Sequence, residues 1–160
     1  MISQVLLNVF IAFMWMMFKD EQGFSLTTFL AGYMVGIGIV FLIHRFYGDK
    51  FYLVRVWALI KLLLIFASEL VKSSITVLKQ ILSPKLNIKP GIFRYETQLR
   101  SDWEITAISM LLTLTPGSVV MEVTPERDAV YVHGIDVKET KEMLIGSLDR
   151  FERAIMEVTR

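Results

Sequence analysis

The sequence predicts a membrane protein. An N-terminal transmembrane helical hairpin leads into a long amphipathic interfacial helix and then a small cytoplasmic β-α-β-β-α domain. Three observations carry this reading. Of 160 residues, 54% are hydrophobic, more than a soluble domain of this length uses. The excess is concentrated at the N-terminal end, where residues 1–43 hold three charged side chains, Lys19, Asp20 and Glu21, in one cluster. Residues 84–160, by contrast, have an ordinary soluble composition. The boundary falls at Ser83-Pro84, with a membrane part over 1–83 and an α+β domain over 84–160.

Ile2–Phe18 is apolar apart from Ser3, Gln4 and Asn8, and Phe24–Ile43 has Ser25, Thr27 and Thr28 as its clearly polar residues. A helix rises about 1.5 Å per residue, so each run just reaches across about 30 Å of hydrocarbon. The short Lys19–Gly23 connection forces antiparallel packing. The first run has neither a basic leader nor a small-residue cleavage site, which argues against a cleaved signal peptide. Arg45, Lys50 and Arg55 follow the second run, whereas the hairpin tip has only Lys19 beside two acids. Positive charge is retained on the cytoplasmic side, so both ends of the hairpin belong there and the protein is multi-pass.

The third apolar segment, Phe51–Leu82, would run about 48 Å as one helix. Lys61, Ser68, Lys72, Thr76, Lys79 and Ser83 recur at steps of three and four, with Ile65 interrupting and Glu69, Ser73 and Gln80 beside them. A broad apolar face with a basic polar stripe describes a helix lying in the membrane interface or against other membrane helices. A third span is the rival reading. It would bury Lys61 and Glu69, at about 2.5–3.5 kcal/mol each near a helix centre, and it would move the soluble domain outside or else reverse the orientation drawn from Arg45, Lys50 and Arg55. The charges Lys61, Glu69, Lys72 and Lys79 are therefore read as interfacial.

Ser83-Pro84 stops this helix, because proline disfavours helical geometry in the preceding residue, and Lys85–Gly91 reads as a linker. Ile92–Leu99 alternates loosely, at Ile92, Tyr95, Thr97 and Leu99, and predicts a strand. Ser101-Asp102-Trp103-Glu104 fits a capping box opening a helix that buries Ile105, Ile108, Leu111 and Leu112 and stops at Pro116-Gly117. Ser118–Thr124 and Val130–Val137 are β-branched runs around Pro125–Asp128, a hairpin. Asp136 caps a final helix with Val137, Leu144, Leu148, Phe151, Ile155 and Val158 in one apolar stripe.

Little here carries chemistry. With no cysteine, disulfides, thiolate metal sites and cysteine nucleophiles are excluded. A net charge of +1 gives no reason to expect nucleic acid. His133 is most simply a strand histidine making one hydrogen bond, and His44 an anchor where the second span leaves the membrane. Asp102, Glu104 and Glu122 could be drawn as an acidic site, but capping accounts for the first two and solvation for the third. No catalytic residue, metal site or cofactor is expected. Gly32-x-x-x-Gly36 lets two helix backbones approach closely, by design or by chance spacing. Asn8 could hydrogen-bond across to another helix or within its own hairpin. Neither predicted span contains a carboxylate, lysine, arginine or central histidine, the groups a proton path through hydrocarbon needs.

Several stretches resemble the E-type subunits of the Mrp-type multisubunit Na+/H+ antiporters, a family related to the membrane arms of membrane-bound hydrogenases and respiratory complex I. They are Asn8 with Ala12 and Trp15; Ser83-Pro84 followed by Pro90-Gly91-Ile92; Leu99 to Glu104; Leu112-Thr113-Leu114-Thr115-Pro116-Gly117; Tyr131-Val132-His133; Asp136; and Phe151-Glu152-Arg153-Ala154-Ile155. Ser118 departs from the threonine expected there. The resemblance implies a hetero-oligomer in the bacterial plasma membrane that exchanges cytoplasmic sodium for external protons. Its larger subunits would carry the proton half-channels, and this chain would be a non-enzymatic accessory and scaffolding subunit. The partners so implied are the other antiporter subunits and membrane lipid. The alternatives are a small homo-oligomeric channel built on the Gly32/Gly36 face and a membrane-tethered enzyme using the α+β domain.

Overall fold

The computed structural model describes residues 2–19, 23–47, 51–84 and 88–160. Asp20 and Glu21 at the hairpin tip, Lys50, and linker residues 85–87 lie outside the described residues. The elements are α1 (Ile2–Phe18), α2 (Leu26–Tyr47), α3 (Tyr52–Ile81), β1 (Gly91–Glu96), α4 (Asp102–Leu114), β2 (Ser118–Val123), β3 (Ala129–Gly134) and α5 (Val137–Thr159). They form two compact units, Met1–Trp57 and Ala58–Arg160. These packing units divide α3 and do not follow the compositional boundary at Ser83-Pro84.

In the first unit, α1 and α2 pack along each other and enclose Ala12 and Val40, both fully buried. Leu6, Phe10, Met17, Leu30, Met34 and Leu42 point outward and are exposed, the reverse of what water would select. The Ser25 hydroxyl accepts from the Thr28 N–H at 3.4 Å and starts α2. Phe13 and Phe29 meet edge to face across the hairpin, with ring centroids 5.2 Å apart. Of the described helices, α2 alone is long and apolar enough to cross a membrane, over Leu26–His44, while α1 is a shorter apolar helix.

In the second unit, a three-stranded antiparallel sheet has the order β1-β3-β2. Its core joins Phe93, Tyr95, Val130 and Val132 of the sheet to Ile108 and Leu112 of α4 and to Leu148, Phe151 and Ile155 of α5. Strand β1 turns Phe93 and Tyr95 inward and leaves Ile92 exposed, so its inner register starts one residue after the Ile92 that the apolar alternation suggests. Between α4 and β2, Gly117 adopts φ +94° with Val77 of α3 packed over it; a side chain there would be strained whatever the space. Leu62 of α3 is buried in this same core, with Ile65 and Phe66 against it. That packing is why the C-terminal part of α3 belongs to the second unit.

Candidate functional site

What the sequence singles out are contact residues, and the structure seats them in two separate places. The first is a polar seam inside the hairpin unit. Gln4, Asn8 and Ala12 recur every four residues on α1 and are its buried positions. Opposite them, a Cβ at Gly36 would stand 1.9 Å from Asn8 Oδ1, and one at Gly32 would stand 2.7 Å from Trp15 Cβ. Both glycines are therefore occupied by α1 of the same chain. The Asn8 Nδ2 donates to the Tyr52 hydroxyl at 2.8 Å, which lies 3.4 Å from the Tyr33 hydroxyl. Gln4 Oε1 accepts from the Tyr52 backbone N–H at 2.9 Å and so serves as a cap for the first turn of α3. Asn8 Oδ1 is buried without a hydrogen-bond partner among the described residues. It faces the Gly36 Cα–H, a weak donor at best.

Sequence reasoning missed Gln4, Tyr33 and Tyr52. The four-residue spacing of Gln4, Asn8 and Ala12 was the available signal, since polar residues repeating on one face of an apolar helix point to a partner helix. His44 packs against Phe41 and Phe51, with ring centroids 5.1 and 5.3 Å away, and those two rings also meet each other at 5.3 Å.

The second place is a buried carboxylate between α3 and α5. Glu69 is 4% exposed. It accepts from the Ser147 hydroxyl at 2.5 Å, from Lys72 Nζ at 3.1 Å and from Arg150 Nη2 at 3.0 Å. Burial alone would raise its pKa, but the bonds from Ser147, Arg150 and Lys72 outweigh burial and hold the carboxyl below the usual range. Lys61 reaches Glu157 at 2.7 Å. The pairs Lys61–Glu157 and Glu69–Arg150 run in opposite senses along the two helices, so α3 and α5 are antiparallel. Lys61 and Glu69 thus engage α5, Lys72 borders the same carboxylate, and Lys79 is exposed. Read alone, the stripe on α3 gave no sign of this. Its counterpart is the Ser147, Arg150, Glu157 spacing on α5.

Two of the acids considered for chemistry, Asp102 and Glu104, serve structure instead. Asp102 pairs with Arg127 at 2.7 Å, and Glu104 closes the capping box that Ser101 opens. Glu122 is exposed on β2. Glu152 accepts from Thr97 Oγ1 at 2.7 Å, from the Gln98 N–H at 3.0 Å and from the Tyr95 hydroxyl at 3.1 Å. It ties β1 to α5. No group of three or more potential metal-ligating side chains occurs among the described residues.

Comparison with known proteins extends this picture. The family described as Na+/H+ ion antiporter subunit matches residues 8–158. The E-type Na+/H+ antiporter subunit of Bacillus subtilis is 43% identical over 160 residues, covering 100% of both chains. A putative antiporter subunit mnhE2 of Staphylococcus epidermidis is 42% identical over 159 residues, covering 99% of each. A chain of the membrane-bound sulfane sulfur reductase, an archaeal respiratory membrane complex, superposes with a TM-score of 0.54 at 19% identity over 95% of this chain and 96% of that one. The last is a likeness of fold only. Matched over nearly its whole length and aligned end to end with these relatives, the chain belongs to the Na+/H+ ion antiporter subunit family.

Proposed function

We propose that this chain is the E-type subunit of a multisubunit Na+/H+ antiporter in the bacterial plasma membrane, where it holds other subunits in place and is neither the proton path nor an enzyme. One observation carries the accessory role. Across Ile2–Phe18 and Phe24–Ile43 the chain has no carboxylate, lysine, arginine or histidine, and Gln4 and Asn8 of the hairpin bond to Tyr52 at the start of α3. Protons cross hydrocarbon on titratable groups, so the proton path runs through partner subunits.

In this reading α1 and α2 both cross the membrane, and Arg45 and Arg55 keep the end of α2 in the cytoplasm. Helix α3 lies along the cytoplasmic surface, and the α+β domain is in the cytoplasm. The packing of Leu62 and Glu69 within the second unit supports a lateral α3, because a third span would carry the Glu69–Arg150 pair into hydrocarbon. The homo-oligomeric channel loses its surface, since α1 fills the Gly32/Gly36 notch.

Deleting the chain from cells should abolish sodium-driven pH changes in everted membrane vesicles, and re-expression should restore them. Undiminished exchange in the deletion strain would refute the subunit role. Exchange by the chain alone in liposomes would refute the accessory role.

A further inference from the structure

The two edges of the sheet are protected differently. Strand β1 carries Arg94 and Glu96 outward, and Arg94 pairs with Asp128 at 3.0 Å. Charges of this kind discourage another strand from pairing with an edge. Strand β2 pairs only with β3 among the described residues, and a groove runs along its other side. Four consecutive residues, Val120 to Val123, line that groove. A β-bulge sets Val120 opposite Val132 and Glu122 opposite Tyr131, leaves Met121 outside the ladder with β3, and breaks the alternation of side chains, so that consecutive residues of β2 reach the groove.

The opposite wall is the flank of α4, which overhangs that edge. Met110 and Leu114 on α4 and Met121 on β2 are 62%, 61% and 59% exposed. The core-facing apolar side chains of α4, Ile105, Ala107, Ile108 and Leu112, are buried. A helix overhanging a sheet edge with apolar side chains has the cover for one more strand but no strand beneath it. Ser109, between these positions, has a buried hydroxyl with no hydrogen-bond partner among the described residues. Among the described residues that line the groove, Glu122 carries the single charge. Two copies of the chain joined through β2 would put two such carboxylates on one six-residue ladder, with no cation from either side. The occupant that complements the groove is therefore a different chain bearing a cation.

We propose that the free edge of β2 and the overhanging flank of α4 dock an extended segment of another antiporter subunit. That segment adds as a fourth strand, sets apolar side chains against Met110 and Leu114, and brings a lysine or arginine to Glu122. Main-chain pairing supplies affinity in such strand addition, and alternate side chains supply selectivity. The proposal rests on the chain being a subunit of a larger complex.

The absence of native cysteine makes the test clean. Met110→Cys, Met121→Cys and, as reference, the exposed α5 position Glu142→Cys are introduced singly into the intact complex in native membranes. Maleimide should modify the groove positions at least ten times more slowly than the reference. A benzophenone maleimide on Met121→Cys, which inserts into neighbouring C–H bonds on irradiation, should capture a loop or terminal peptide of another subunit that contains a lysine or arginine. Glu122→Lys should cut co-purification of that subunit about tenfold, and placing an acid at the captured cation should restore it. Reference-like labelling, capture of a second copy, capture of a membrane helix, or no capture would each overturn the proposal. None of these outcomes would disturb the vesicle assay, which tests subunit function separately.

Discussion

Asn8 shows how one polar residue can be stable in an apolar helix. Its amide nitrogen has a hydroxyl to donate to, and its oxygen sits in the notch left by Gly36. Gly36→Ala should therefore cost about 1–3 kcal/mol through overpacking, measured as a lower unfolding temperature of the purified complex. Adding Asn8→Ala should recover part of the loss by emptying the notch, less about 0.6 kcal/mol for the interhelical bond to Tyr52. If the double variant is no more stable than Gly36→Ala alone, the notch is not what Asn8 fills. Glu69 behaves differently, because its removal leaves cations facing a buried gap. Glu69→Ala should cost up to about 3–5 kcal/mol, the usual range for breaking a buried pair. The loss should fall toward the low end because the Lys72 and Arg150 side chains, 58% and 41% exposed, can turn to water. Thermal unfolding of Glu69→Ala beside Glu69→Gln, which keeps the Ser147 bond, separates loss of charge from loss of the hydrogen bond.

At the scale of elements, α4 is anchored through Glu104. Its Oε2 accepts from the backbone N–H groups of Arg100 and Ser101, at 3.1 and 3.2 Å, and its Oε1 accepts from the Thr159 hydroxyl at 2.7 Å. The start of α4 is thereby tied to the end of α5. Burial would raise the pKa of Glu104, but the Thr159, Arg100 and Ser101 hydrogen bonds lower it to about 2. The unfolded value is about 4.3, so the folded state binds the proton less tightly and the carboxylate stabilises the fold above that pH. This contribution should decline as the pH falls from about 4.3 towards 2. In Glu104→Gln the same acid limb should be visibly flatter in pH-dependent unfolding. Ser101→Ala should cost about 1 kcal/mol as a lost N-cap.

Much of this half was legible in the sequence. A capping box is a local pattern, the β2–β3 hairpin is punctuated by Pro125–Asp128, and the α5 stripe at Leu144, Leu148, Phe151 and Ile155 repeats at helical spacing. What the sequence hid depends on contacts far apart in the chain. Nothing near Gln4 announces Tyr52, nothing near Lys61 announces Glu157, and Ile92 suited the inner face of β1 until packing chose Phe93 and Tyr95. The groove between α4 and β2 was hidden for the same reason, since an unpaired edge exists only once the order β1-β3-β2 is known.

At the scale of the whole molecule, α3 has two unlike sides. Leu62, Phe66 and Glu69 turn towards the core of the second unit, while Leu64, Val71, Leu78 and Leu82 on the opposite side are exposed. A face so long and so free of charge needs apolar cover, and an interfacial helix finds it in the upper acyl region, about 5–10 Å below the headgroups. Depth distinguishes this from a span. Leu64 and Leu78 are fourteen positions apart, about 21 Å along a helix axis. Spin labels at Leu64, Val71 and Leu78 in the reconstituted complex should show one shallow depth when collision with oxygen is compared with collision with a polar nickel chelate. A helix crossing the bilayer would instead spread the three labels over most of the hydrocarbon thickness, and that gradient would replace the lateral α3 with a third span. With the hairpin oriented by Arg45 and Arg55, the same gradient would contradict a cytoplasmic α+β domain, because a further crossing moves everything after Ser83 to the other side.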